Sequence, residues 1–315
     1  MSKQPLIDQL DQAIGRLLAD PDATPLSVDP EAVELLRLAR ALRDLPGADF
    51  KAKLKAELER KAIMSTKTVV SRPGFRTITP YLLPQGLEYI DFLKRVFDAE
   101  EMFRAQAGPG RFHAEVRIGD SMLMVGVGSG SKMPAGIEVY VPNVDEVYKR
   151  AIDAGCVELQ PVGDAHWEPI RLGSVEDPEG NRWVIVTHRG KSYIPEGRHS
   201  LSASFVVSGA ARFVDFLKQA LDADEIRRWE WPDGLFVSVR IGDSVVGVSE
   251  STNNEWMRPM SAMINMYVPD CDTLYEEALR AGAKSISPVA DQPYGVRSGA
   301  VEDDWGNQWV IATPL

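Results

Sequence analysis

The stretch VEDPEGNRWVIVT at residues 175–187 returns as VEDDWGNQWVIAT at residues 301–313, and this repetition decides how the chain is organised. The hexapeptide VRIGDS is also present twice, at residues 116–121 and at residues 239–244. A helical segment that contains DFLK precedes each copy of the hexapeptide. Similarity that recurs in a fixed order indicates repeated structural units. The sequence therefore predicts two copies of one domain.

The two predicted domains span residues 75–190 and residues 200–315, with a Gly- and Pro-containing linker between them. Each begins with a β-strand pattern, continues with an amphipathic helix and three short strands, and then repeats this order. Each domain is therefore predicted to contain two βαβββ modules, which places the chain in the α+β class.

Residues 1–70 show a different pattern, in which apolar residues recur at helical spacing, as in Leu6, Leu10 and Ile14. We predict a small helical N-terminal segment there. Its simplest role is that of an accessory or oligomerising element. The alternative is a binding surface for a protein partner.

The composition limits the classes of partner. The 315 residues include 35 Lys and Arg against 46 Asp and Glu, a net charge of -11. Such a surface repels nucleic acid and anionic membranes, and no basic patch in the sequence offsets it. The sequence has neither an apolar run of about 18 residues nor the apolar core of a signal peptide. We therefore expect a cytoplasmic protein that binds neither nucleic acid nor membrane.

Three stretches carry a resemblance to a known family: TPYLL at residues 79–83, HAEVRIGDSMLMV at residues 113–125 and VEDPEGNRWVIVTH at residues 175–188. Together with the βαβββ order, they make both repeats resemble the PhnB-like branch of the vicinal oxygen chelate superfamily. That superfamily contains glyoxalase I, extradiol dioxygenases, fosfomycin-resistance enzymes and bleomycin-binding proteins. The resemblance implies two tandem domains, each a pair of βαβββ modules that form an open curved sheet, or cup, around a ligand or metal ion.

The resemblance also implies where a metal ion would be bound. The metal enzymes of the superfamily carry a ligand on the first strand of each module and a carboxylate on the last strand. The first strand of the first repeat, residues 77–81, has no His, Asp or Glu, and the later positions of that repeat hold Gly136 and Val184. The second repeat has Ser202 or Ala203, Met263 and Val310 in the corresponding places. None is an imidazole or carboxylate donor of the kind that divalent ions need. We therefore expect no cofactor, with an atypical divalent metal site as the alternative.

The first repeat carries a polar set that is typical of acid–base chemistry. Period-two alternation places His113 and Glu115 on one face of a strand. We predict that these two residues are catalytic, because a His beside a carboxylate can act as a general acid or base. We also expect them to converge with Glu138 and His188 in one cup. The alternative is that all are half-exposed strand residues. The predicted ligand-binding residues of this repeat are Tyr81, Arg117, Glu138, Tyr140 and His188.

The second repeat has aromatic residues in the corresponding places. Trp229 and Trp231 lie two residues apart on one strand, and Phe236 and Tyr267 stand where the first repeat has a His and a Tyr. Concave sites lined by aromatic side chains hold flat organic ligands. We predict that these four residues bind a ligand, and the alternative is that they pack in the core.

Three functions from different classes follow. The preferred one is a binding protein that holds a small, aromatic organic molecule in a cup without the usual metal triad. The alternative is an enzyme of the isomerase, lyase or dioxygenase class that uses His113 and Glu115 or an atypical divalent metal. The third is a regulatory module with a protein partner on the N-terminal helices. The two repeats are expected to pair within one chain, because fusion raises their effective concentration, and a homodimer is the alternative.

Overall fold

A computed structural model describes residues 74–130, 132–232, 234–252 and 257–315. The helical segment predicted for residues 1–70, and the protein partner proposed for it, lie outside the described residues. No helix within the described ranges combines the length and the apolar character that a membrane crossing requires.

Four βαβββ modules follow one another along the described chain, as the sequence predicts. The first contains β1 (Ile78–Leu82), α1 (Glu88–Phe97), β2 (Glu100–Gly108), β3 (Arg111–Ile118) and β4 (Ser121–Val127). The second contains β5 (Gly136–Tyr140), α2 (Val144–Asp153), β6 (Val157–Asp164), β7 (Ile170–Glu176) and β8 (Arg182–His188). The third contains β9 (Leu201–Val207), α3 (Ala210–Ala220), β10 (Asp224–Trp231), β11 (Gly234–Ile241) and β12 (Ser244–Glu250). The fourth contains β13 (Met263–Tyr267), α4 (Cys271–Arg280), β14 (Lys284–Gln292), β15 (Val296–Glu302) and β16 (Gln308–Pro314).

The modules assemble into two eight-stranded sheets, and each sheet takes one module from each repeat. Sheet 1 has the order β14-β15-β16-β13-β1-β4-β3-β2, and sheet 2 has the order β10-β11-β12-β9-β5-β8-β7-β6. The repeats meet through antiparallel pairs, β1 with β13 and β5 with β9. The predicted α+β class and tandem βαβββ architecture are confirmed. The domain ranges 75–190 and 200–315 stay predictions, and each sheet takes strands from both of them.

The repeated VRIGDS motif explains how the two repeats hold each other. Its glycine adopts a positive φ of 58° at Gly119, which turns the chain tightly between two strands. The aspartate that follows accepts a hydrogen bond from the opposite repeat: Asp120 from the Ser200 backbone N–H at 2.7 Å, and Asp243 from the Thr77 backbone N–H at 2.8 Å. Each copy of the motif therefore fixes the start of the first strand of the other repeat.

The second repeated motif, Gly-Asn-x-Trp at residues 180–183 and 306–309, is also structural. Trp183 and Trp309 are fully buried, and their indole N–H groups donate to Asp177 and Asp303, each at 2.9 Å. Tyr89 in α1 adds a donor to Asp177 at 2.6 Å. Buried carboxylates need such donors to offset the loss of water. The motif thus ties the hairpin before the last strand of each repeat to the common core.

Candidate functional site

The sheet faces that point away from the helices form two cups. Strand alternation decides this, because Ala114 and Val116 pack in the helix-side core while His113 and Glu115 point to the other face. The first cup, on sheet 1, is lined by Phe75, Tyr81, Met122, Met124, Asn265 and Tyr267, together with His113 and Glu115. The second cup, on sheet 2, is lined by Glu138, Tyr140, Leu172, Val186, Trp229 and Phe236.

The first cup contains a chain of three polar side chains. The Tyr81 hydroxyl lies 3.1 Å from Nδ1 of His113, and Nε2 of His113 lies 3.6 Å from Oε1 of Glu115. With the ring proton on Nε2, Tyr81 donates to Nδ1 and the N–H faces the buried Glu115 carboxylate. Burial raises the pKa of Tyr81 to about 12, and Tyr294 adds to the shift. The phenol therefore stays protonated at neutral pH, as a donor to the imidazole.

The floor of the first cup combines apolar side chains with the amide of Asn265 and the hydroxyl of Thr79. Phe75 packs edge-on against Tyr267, with ring centroids 5.5 Å apart, and Met122 and Met124 are buried beside them. Asn265 is 7% exposed, and its Nδ2 has no hydrogen-bond partner among the described residues. Sequence reasoning did not identify Asn265, although its position two residues before the repeated Tyr-Val-Pro matches Glu138 in the first repeat.

The floor of the second cup is ionic instead. Arg198, from the linker between the repeats, lies 3.5 Å from Oε2 of Glu138 and donates to Oγ of Ser238 at 3.1 Å. Burial alone would lower the pKa of Arg198, but Glu138 and Tyr140 outweigh it and raise the pKa overall. Tyr140 is buried, and burial raises its pKa far above the ordinary value, with a contribution from Glu138. Nothing in the sequence singles out Arg198, because it lies in a segment with the composition of a linker.

Aromatic side chains line the mouth of the second cup. The rings of Trp229 and Phe236 lie 5.4 Å apart, and the Arg227 guanidinium stacks 3.9 Å above the Trp229 ring. Arg227 also forms an ion pair with Glu168, which precedes β7. Since β10 and the β6–β7 hairpin lie at opposite edges of sheet 2, this ion pair joins the two edges. The sheet is therefore curled into a cup, and Arg227 covers one face of Trp229.

The predicted convergence of His113, Glu115, Glu138 and His188 in one cup is wrong. His113 and Glu115 lie on β3 of sheet 1, whereas Glu138 and His188 lie on β5 and β8 of sheet 2. The cause is that each sheet pairs modules of different repeats. Nδ1 of His188 lies within hydrogen-bond distance, 2.8 Å, of the Ser192 backbone carbonyl oxygen.

The aromatic set of the second repeat is divided in the same way. Trp229 and Phe236 lie together in the second cup, whereas Tyr267 lies in the first. Trp231 is 46% exposed at the end of its hairpin, where its ring covers Gly234. Arg117 forms an exposed ion pair with Glu100 at the edge of sheet 1.

The residues at the family's metal positions do not fit a divalent ion. In the first cup these positions hold Met263 and Val310, and in the second Gly136 and Val184. Within the described ranges, no three His, Cys, Asp or Glu side chains lie close enough together to share a metal ion. Divalent metals in proteins are held by several imidazole, thiolate or carboxylate donors.

Comparison with known proteins gave two kinds of match, while no family model matches the chain. An uncharacterized protein of Mycobacterium bovis is 33% identical over 127 residues, covering 37% of this chain and 84% of that protein. An uncharacterized protein of Mycobacterium tuberculosis strain H37Rv is 33% identical over the same length and is covered to 75%.

Two solved structures share the fold. Glyoxalase I from Zea mays superposes with a TM-score of 0.59 at 12% identity, over 77% of this chain and 92% of that one. A putative dioxygenase from Bacillus subtilis strain 168 superposes with a TM-score of 0.51 at 14% identity, over 78% of this chain and 86% of that one. The fold expected from the sequence resemblance is confirmed by both, and the assignment to the PhnB-like branch stays a prediction.

Proposed function

The chain belongs to one family with these mycobacterial proteins and has the fold of the vicinal oxygen chelate superfamily, and from this premise we propose that it binds a flat organic molecule without a metal ion. The second cup is the proposed site. Its ligand is an aromatic compound that stacks on Trp229 and Phe236. The observation that carries the proposal is this aromatic pair, which stands at the mouth of a cup whose floor is already charge-paired.

The chemistry of the lining favours a neutral aromatic ring system. The Arg198 and Glu138 charges are satisfied by each other, so neither calls for a charged ligand. Indole and phenyl faces attract flat rings through stacking and apolar burial. Arg227 occupies one face of Trp229, and its stacking there indicates that this face also accepts a flat group. An incoming ring takes the place of the guanidinium, while Arg227 swings outward with its partner Glu168.

A pair of matched probes tests this function. Binding of 2-naphthol and of its saturated counterpart decahydro-2-naphthol can be followed by saturation-transfer NMR and thermal shift. Only the flat compound is expected to bind well, and Trp229→Ala should weaken it about threefold to tenfold, the range expected for one stacking contact. Tyr294→Ala removes a 73% exposed aromatic ring from sheet 1 and should leave binding unchanged. Equal binding of both compounds, or full binding by Trp229→Ala, would refute the proposal.

An acid–base enzyme is the second candidate, and the Tyr81, His113 and Glu115 chain in the first cup favours it. A buried carboxylate next to an imidazole supports proton transfer to or from a bound molecule. The test is any identified turnover measured in His113→Ala and Glu115→Gln. Unchanged rates in both variants would remove these residues from the mechanism.

A further inference from the structure

Asn265 is the polar residue of the first cup that the fold leaves unsatisfied. It faces the cup because its neighbours Ile264 and Met266 are both packed in the helix-side core. The side chain is 93% buried, and its Nδ2 lacks a hydrogen-bond partner among the described residues. A buried amide N–H without an acceptor is costly, so native proteins seldom keep one. Its retention on a sheet face therefore points to an acceptor supplied by another molecule.

In the second cup, the polar residue at the same position is paired with another residue of the chain. Glu138 corresponds to Asn265, and it is paired with Arg198. Arg198 lies three residues before the first strand of its repeat, and the residue in that place in the other repeat is Phe75. Phe75 packs on Tyr267 and offers no hydrogen bond to Asn265 from its ring. Where the second cup has an internal ion pair, the first cup thus has an apolar wall and a single amide donor.

The surroundings of Asn265 define what can bind there. Thr79 lies directly opposite Asn265 in the β1–β13 pair, and its hydroxyl is turned to the Arg76 carbonyl at 3.1 Å. Met122 and Met124 provide flexible, polarizable apolar surface that adapts to irregular shapes. Another wall of the cup carries the Tyr81 hydroxyl, which contacts the imidazole of His113.

We propose that the first cup is a second ligand site, which takes a neutral and mainly apolar molecule whose carbonyl oxygen accepts a hydrogen bond from Asn265 Nδ2. The carbonyl class includes ketones, amides and lactones. A carboxylate ligand is disfavoured because the buried Glu115 carboxylate lies in the same cup, and because Arg117 is already paired with Glu100. This site goes beyond the aromatic site of the second cup and uses no residue of it.

Acetophenone and α-methylstyrene make a matched pair of probes, because they differ in shape only by the exchange of a carbonyl oxygen for a methylene group. The full chain, labelled with ¹³C at its methionine methyl groups, reports the location of binding. Acetophenone is expected to shift the signals of Met122 and Met124 in a saturable titration. Met260, which hydrogen-bonds to Val206 of sheet 2, should not shift. Acetophenone should bind at least tenfold more tightly than α-methylstyrene.

Asn265→Leu separates a ligand role from a structural one. The variant should lose the tenfold preference for the ketone, while the melting temperature of the ligand-free protein stays equal or rises, because an unpaired amide has been removed. Asn265→Asp, which removes the amide N–H donor at nearly constant shape, should also lose the preference. Trp229→Ala, in the second cup, should leave the acetophenone titration of the Met122 and Met124 signals unchanged, so that the two proposed sites fail or succeed separately.

Three results would overturn the proposal. One is that millimolar acetophenone does not shift the Met122 and Met124 signals of the unaltered chain. Another is a preference for the ketone in Asn265→Leu and Asn265→Asp that is as large as in the unaltered chain. The third is a lower melting temperature of ligand-free Asn265→Leu, which would make Asn265 a structural residue.

Discussion

Removal of the Arg198 charge is expected to destabilise the protein by about 3 kcal/mol. Arg198 and Glu138 are 3.5 Å apart, and only 18% and 16% of their side chains are exposed. At this separation, an effective dielectric constant of about 20 gives an attraction of about 5 kcal/mol. The loss of hydration of both charges offsets part of it. Removal of one partner from a buried pair costs about 3–5 kcal/mol, because the other charge is left buried and unpaired. The residual exposure favours the lower end of that range.

The assay is urea denaturation followed by tryptophan fluorescence in four proteins: the unaltered chain, Arg198→Met, Glu138→Gln and the double variant. Because the two residues contact each other, their effects should not add, and the double variant should be about 2 kcal/mol more stable than the sum of the single changes indicates. Arg117→Met is the matched control. Its ion pair with Glu100 is 41% and 63% exposed, so the loss should stay below about 1 kcal/mol.

Two outcomes would refute this reasoning about the second cup. If Arg198→Met costs less than about 1 kcal/mol, the pair is solvated and the floor of the cup is not a low-dielectric environment. If the single effects add in the double variant, the two charges do not interact, and Arg198 is only a linker residue.

Three further changes have distinct expected results. Glu168→Gln removes the partner of Arg227 and should speed the association of 2-naphthol in stopped-flow measurements, at a stability cost below about 1 kcal/mol. Gly126→Ala places a Cβ 2.7 Å from Cε1 of Tyr81 and should cost about 1–3 kcal/mol and alter the imidazole ¹⁵N signals of the first cup. Burial raises the pKa of Asp120, but hydrogen bonds from the second repeat outweigh it and hold that pKa well below its ordinary value. Asp120→Asn should therefore cost about 1 kcal/mol at neutral pH, after allowance for its exposure, and this difference should shrink as the pH falls below about 4.

Each of these changes has a control of the same chemistry. Glu230→Gln alters an exposed glutamate on the same strand as Arg227 and should leave the association rate unchanged. Gly163→Ala adds a methyl group where nothing lies within 4 Å, so it should not affect the first cup. Asp153→Asn changes an aspartate that is 62% exposed, and its effect should be small. A pH-independent loss in Asp120→Asn would show that the carboxylate charge does not matter.

Much of the fold is readable from the sequence because local patterns determine it. Alternation on β3 separates Ala114 and Val116, which pack in the core, from His113 and Glu115 on the opposite face, since neighbouring strand residues point to opposite faces. The βαβββ order was equally visible, because helix and strand periods differ. Local patterns do not tell which module pairs with which. All four modules share one pattern, so pairing within a repeat and pairing across repeats satisfy it equally well.

The site residues that sequence reasoning missed are those whose role depends on that pairing. Arg198 acquires its role from Glu138, which precedes it by sixty positions and lies in the other repeat. Asn265 acquires its role from the apolar ring of Phe75, which belongs to the opposite repeat as well. A residue-by-residue comparison of the repeats marks both positions as different, and only the sheet order explains what the differences do.

The exchange of modules gives each cup walls from both repeats and a chemistry of its own. Each cup has one wall from each repeat, so neither repeat can keep a complete cup without the other. A change on the first module, such as one at His113, alters the first cup, to which the fourth module contributes Asn265. The second cup is built from the second and third modules and does not contain that side chain. The chain of Tyr81, His113 and Glu115 therefore forms one set with Asn265, and the aromatic pair forms a second set with the Arg198 and Glu138 ion pair. Substitutions of contacting residues within one set should consequently couple with each other more strongly than with the other set, which double-variant cycles between Tyr81 and His113 and between His113 and Trp229 can measure.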